Sequence, residues 1–166
     1  MKKILFAVSL FAYCLLVAIS SKAQQGIDVP REVKESFAKN FRNSEFERWM
    51  QIQDSYVATF KENNVWRDAY FTEDGEYKGT GKYITLDFLP IAVQKSLSDK
   101  YSVFEISELY QYEGSETGLS FYAVLRNAKN ELILQFSSYG DITFSKKNKI
   151  REGNPTMSDI AVNKNN

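Results

Sequence analysis

Apolar residues recur along this chain with two periods. In VPREVKESFAKNF (29–41), Val33, Phe37 and Phe41 fall four residues apart with Ser36 beside them, one stripe of a helix. LPIAVQKSLSDKY (89–101) repeats the pattern through Val93, Ser96, Leu97 and Tyr101. Pro30 and Pro90 mark the first turns, where proline's missing N–H would have no intrahelical acceptor. Elsewhere the period is two. Tyr56, Ala58 and Phe60 share one strand face, and Val57 and Thr59 the other. In the next strand Ala69 and Phe71 lie opposite Trp66, Asp68 and Tyr70. Later, Phe121, Ala123, Leu125, Leu132, Leu134 and Phe136 share a face, with Tyr122, Val124, Ile133 and Gln135 on the other. The strands are joined too tightly for anything but antiparallel hairpins. The expected fold is α+β, helices on one side of antiparallel sheet.

The two sets match at fixed spacing. Pro30, Val33, Ser36, Phe37 and Phe41 stand 60 residues before Pro90, Val93, Ser96, Leu97 and Tyr101. YVATFK (56–61) and FYAVLR (121–126) are 65 apart, as are FTEDGEY (71–77) and FSSYGDI (136–142). Glu113-Gly-Ser-Glu-Thr-Gly118 is the place for the five-residue insertion, a hairpin loop longer than its counterpart near Asp54. The chain thus reads as two tandem repeats, 24–87 and 88–150, in one compact domain, with a polar tail over 151–166.

The start of the chain changes the compartment. Lys2 and Lys3 precede an uncharged apolar run of 16 residues, Ile4 to Ile19, and Ser21-Lys22-Ala23 offers small residues for cleavage after Ala23. This is the order of a secretory signal peptide over 1–23, and the run is shorter than the roughly 20 residues that span a bilayer. Cys14 lies inside the apolar run beside bulky Tyr13, so it reads as a signal-core residue, not a lipid-attachment site. Cleavage leaves 143 residues from Gln24 to Asn166, exported to the periplasm or secreted, without cysteine and so without disulfide. The 21 basic residues become 18 against 21 acidic ones, a net charge of −3 that offers no field for nucleic acid or an anionic membrane.

Candidate chemistry is sparse. The chain has no histidine, which removes the commonest general base and zinc ligand. Glu73, Asp74, Glu76, Glu105, Glu108, Glu113 and Glu116 show no paired spacing for acid–base work, so a carboxylate hydrolase is the weakest reading. Gly79-Thr-Gly81 reads as a turn or bulge between strands, and Lys146-Lys147-Asn-Lys149 as a solvated run. FTEDGEY gathers three acids around Gly75, and calcium is the one metal worth testing there. FSSYGDI keeps the hydroxyl, the glycine and the acid after it but loses the other two acids. The shared feature is therefore a glycine turn with positive φ. No cofactor is expected.

The tandem [VL]-P-x-x-V-x-x-S-[FL] helix, Y-x-A-x-F-like strand and F-[TS]-x-x-G-[DE] turn behind a signal peptide resemble the PepSY-like family of exported bacterial proteins. That family is similar in fold to the β-lactamase inhibitory protein. The match spans residues 28–147, and Trp49, just ahead of the first hairpin strand, suits the pattern, with Leu109 in its place in the second unit. The resemblance implies two units whose sheets join into one surface, helices behind and the other face open. It also implies a binding or inhibitory role in place of catalysis. It does not imply inhibition of a β-lactamase: the inhibitor's disulfides are absent here.

The open face is therefore the expected partner-binding site, through Val57, Thr59, Trp66, Asp68, Tyr70, Tyr122 and Gln135, with Val124 and Ile133 alongside. A protein or peptide is the expected partner, with self-association or simple cross-strand packing as competing uses. The alternative function is a carrier of a small lipid, glycan or peptide, the aromatics lining a groove between the units.

Overall fold

The computed structural model describes residues 27–150. The signal peptide, its cleavage point and the polar tail lie outside the described residues. The chain runs α1 (Arg31–Asn40), β1 (Glu45–Ile52), β2 (Ser55–Glu62), β3 (Val65–Thr72), β4 (Tyr77–Tyr83) and a 3-10 turn (Leu86–Phe88). It continues as α2 (Ile91–Tyr101), β5 (Glu105–Gly114), β6 (Gly118–Arg126), β7 (Asn130–Ser137) and β8 (Ile142–Lys149). All eight strands form one antiparallel sheet in sequence order. The class is α+β, as the pattern of periods implies.

Strand alternation carries both helices to one side of the sheet. Val33 and Phe37 of α1 pack on Tyr56, Ala58, Phe60, Ala69 and Phe71. Val93 and Leu97 of α2 pack on Leu109, Phe121, Ala123, Leu125, Leu134 and Phe136. Thr80 pairs with Ala69, and Gln111 pairs with Lys82 and Phe121. The same face is therefore followed without a switch across the β4–β5 seam.

The glycine turns dock on the helices. In the β3–β4 turn the Thr72 hydroxyl accepts the Glu76 N–H at 3.0 Å, and the Gly75 N–H reaches the Thr72 carbonyl at 3.1 Å. In the β7–β8 turn the Ser137 hydroxyl accepts from the Tyr139 and Asp141 N–H groups. Gly75 and Gly140 have φ of 83° and 87°. A Cβ on Gly75 would stand 2.7 Å from the Glu32 carbonyl oxygen, and one on Gly140 2.8 Å from that of Ala92. So hydroxyl and glycine are what each turn uses: one caps it, the other gives positive φ and room for the first turn of a helix. Glu73 stands exposed outside that arrangement, while the exposed Asp74 accepts a hydrogen bond from the Thr72 hydroxyl.

Three local expectations are corrected. Gly79 and Gly81 lie inside β4, with a bulge beside Gly79 but no turn, and Tyr112 and Tyr110 of β5 lie across them. Trp49 and Leu109 sit within β1 and β5, each two or more residues past a bulge (Phe46/Arg48 and Ile106/Glu108), and not ahead of the first strand. Lys146 is half-buried on the sheet face beside Ile133; Lys147 and Lys149 are exposed.

Candidate functional site

On the face away from the helices, β4 contributes Gly79 and Gly81 where other strands carry side chains. Their missing Cβ atoms make a bed for tyrosines. A Cβ on Gly81 would fall 2.1 Å from the Tyr110 ring, and one on Gly79 2.7 Å from the Tyr112 hydroxyl. Tyr112 donates to the Lys78 carbonyl at 2.8 Å, which pins its ring across β4. Tyr83 meets Tyr110 edge-on at 5.0 Å between centroids, and Tyr70 meets Tyr112 at 5.5 Å.

A hydrogen-bond chain crosses the seam. Thr59 donates to Asp68 Oδ1 at 2.8 Å, and Tyr110 donates to Asp68 Oδ2 at 3.0 Å. The Tyr70 and Tyr110 hydroxyls are 2.9 Å apart. With the Tyr110 proton committed to the carboxylate, Tyr70 is the donor of that pair. Burial pushes the Tyr110 phenol well above its ordinary value, and the neighbouring Tyr70 and Asp68 add to the shift. Asp68 thus serves as acceptor for two hydroxyls from different strands, a positioning role.

The expected site residues do lie on one face, but that face is open only in part. Trp66 is 50 % exposed. Thr59, Asp68 and Gln135 are half-buried. Val57, Tyr70, Tyr122, Val124 and Ile133 are buried, which corrects the expectation that this whole face stands open. The physical reason is lateral packing. Ile52, Val57 and Tyr70 form one cluster with Met50 and Tyr112, and Tyr110 and Tyr122 form another with Tyr112. Sequence reading missed Tyr83, Tyr110 and Tyr112. The signal was available as Tyr-Gln-Tyr at 110–112 and Gly-Thr-Gly at 79–81, two alternating patterns that need each other only when paired.

The two ends of the face differ. Lys61 and Trp66 are cross-strand partners, with the Lys61 ammonium 5.8 Å from the ring centroid. The matching slot between β6 and β7 holds Arg126 and Glu131, whose Arg126 Nη2 to Glu131 Oε2 distance is 2.8 Å. Asn148 donates to the other Glu131 oxygen at 3.1 Å. Glu108 beside them has its carboxyl raised by burial, opposed by Arg126 and reinforced by Glu131. The Gln135 side-chain oxygen is buried without a hydrogen-bond partner among the described residues. The acids weighed for catalysis, Glu73, Asp74, Glu76, Glu105, Glu113 and Glu116, are all exposed. Among the described residues no group of three or more His, Cys, Asp or Glu is placed to hold a metal ion, and no helix is long and apolar enough to cross a membrane.

No protein-family model and no curated relative matches the chain. Solved structures do. A BLIP-like protein from Bacteroides fragilis matches at 17% identity and TM-score 0.64, over 80% of this chain and 96% of that one. A DUF2874 family protein from Bacteroides ovatus matches at 18% identity and TM-score 0.66, over 74% and 89%. A protein of Bacteroides eggerthii, provisionally described as periplasmic, matches at 19% and TM-score 0.65, over 73% and 90%. The chain shares their fold, which is that of BLIP-like proteins.

Proposed function

We propose that this chain is an exported, non-catalytic binding module that holds a protein or peptide on the sheet face away from the helices. Its PepSY-like motifs and its signal peptide support export and this class. Two copies of one helix-plus-four-strand unit account for the architecture. Their glycine turns meet the same helix position, and their strand bulges recur 60 residues apart on β1 and β5 and 65 apart on β4 and β8.

The observation that carries the binding role is Trp66 standing half-exposed beside a tyrosine bed that a hydrogen-bond chain holds rigid. Rigid aromatic anchors lose little entropy on binding and dominate hot spots. Tyr70 is part of the support, so the contact residues to test are Trp66 and the exposed Tyr83.

The experiment is photo-crosslinking in intact cells from a position beside Trp66, in wild type and in Trp66→Ala with Tyr83→Ala. The expected result is a discrete protein or peptide adduct that the double variant loses while its melting temperature holds. An adduct of unchanged yield in the folded variant would sink the reading. An adduct of twice the chain's own mass would assign the face to self-association. N-terminal mass spectrometry of the recovered protein checks export, with Gln24 as the expected first residue.

A further inference from the structure

The layer between helices and sheet is filled differently in its two halves. Under α1, Phe37 meets Phe46, Trp49 and Phe60 edge-on at 5.8, 5.5 and 5.4 Å, and Phe41 meets Phe60 at 4.7 Å. The residues 60 or 65 positions later are Ile106 for Phe46, Leu109 for Trp49, Leu97 for Phe37 and Leu125 for Phe60. Each exchange puts an aliphatic side chain where a ring stood. Interiors ordinarily fill such space to crystal-like density. Here a cleft of about 440 Å³ opens beside α2, floored by Leu97, Phe104, Ile106 and Leu125. That volume falls in the range of roughly 300–1,000 Å³ that small-molecule sites occupy.

The mouth is apolar where the fold does not require it. Ile91 is 83 % exposed and Leu86 46 %. The residue matching Ile91 on α1 is Arg31, which pairs with Glu35 at 2.6 Å. The residue matching Glu35 on α2 is Lys95, which lines the cleft. Lys95 is the one charged residue of the lining, and it has no ion pair among the described residues. Gln94 is already committed, its amide donating to the Leu89 carbonyl at 2.8 Å. The cleft thus offers an apolar floor, a single cationic group at the rim and no carboxylate.

We propose that this cleft binds a single-chain amphiphile with an anionic head, of the fatty-acid type. Its alkyl chain lies over Leu97, Phe104, Ile106 and Leu125, and its carboxylate meets Lys95. The site lies on the opposite side of the sheet from the tyrosine bed and is independent of the partner reading above.

Titration of purified protein with decanoate and with decanol, both below their aggregation limits, tests it by calorimetry and by chemical shifts of the cleft methyl groups. Wild type takes up decanoate saturably at one site. Lys95→Glu weakens decanoate by about tenfold or more and leaves decanol unchanged. Leu97→Phe with Ile106→Phe, which restores the rings of the first half, abolishes both. If that filled variant fails to fold by circular dichroism, the decanoate/decanol split in Lys95→Glu decides alone, because Lys95 is exposed. Absence of saturable uptake, an unchanged decanoate affinity in Lys95→Glu, or undiminished uptake by a folded filled variant would each overturn the proposal. So would a dimer that forms with rising concentration and is lost in Ile91→Lys, which would give the cleft to a second copy.

Discussion

Beneath α1 the space is closed by rings; beneath α2 leucine and isoleucine stand in for four of those rings, beside Tyr101 and Phe104, and the space is left partly open. The backbone frame is alike in both halves: a proline-led helix, four antiparallel strands, and a glycine turn set against the helix start. What differs is side-chain volume at matching positions. The frame therefore specifies where a layer forms, and the residues in it specify whether the layer is solid. The same contrast holds on the other face. Lys61 with Trp66 at one end is answered by Arg126 with Glu131 at the other, an aromatic surface against an ion pair.

The largest effect that tests this contrast is ring deletion. Phe37→Ala should cost about 3–5 kcal/mol, since it removes a ring that touches five others. Leu97→Ala should cost less, near the lower end of the roughly 2–5 kcal/mol of such truncations, because its neighbours already face a cleft. Urea unfolding of both variants measures the difference, and equal losses would mean the two halves are equally packed.

Next in size are the turns. Gly75→Ala and Gly140→Ala each place a Cβ against a helix carbonyl at positive φ, at a cost of about 1–3 kcal/mol. Thermal unfolding should give near-equal losses; a large loss in one alone would break the equivalence of the halves.

A smaller effect belongs to the seam. Tyr70→Phe and Tyr110→Phe should each cost about 1 kcal/mol, and the double variant less than their sum, because they share one hydrogen-bond chain. Additive losses in a double-mutant cycle would mean the hydroxyls act separately.

The smallest concerns Glu108. Its folded-state pKa lies above the ordinary value near 4.5, so folding favours the protonated acid. That contribution is present at low pH and is lost as pH rises through the raised value. Glu108→Gln should therefore raise the melting temperature slightly at neutral pH and leave it unchanged at about pH 3. A drop at neutral pH would mean that its attraction to Arg126 outweighs its burial.

Much of this architecture was legible beforehand because its determinants are local. A stripe at intervals of four and a proline define a helix start within a dozen residues, and alternation defines a strand within six. The Gly75 and Gly140 turns were legible by comparison, since the leading phenylalanine, the hydroxyl, the glycine and the acid after it recur while the other two acids do not. The face was legible as a set but not in its exposure: Tyr70 and Trp66 alternate identically along β3, yet one is buried and the other is not. Of the turn or bulge read at Gly79 and Gly81, only a bulge beside Gly79 is present; a glycine inside a strand looks like punctuation until the tyrosine lying on it is known.

The sequence by itself determined the two periods, the expected export, the absence of histidine and the duplicated pattern, because each is a property of residues near one another or of composition. The tertiary structure alone decided three things: that the tyrosines of β5 lie on the glycines of β4, that Asp68 gathers hydroxyls from two other strands, and that smaller side chains under α2 leave a cleft. All three depend on what stands opposite across paired strands and on how much volume meets there. Residues 30 to 40 positions apart in sequence, such as Tyr70 and Tyr110, come together only when the sheet assembles.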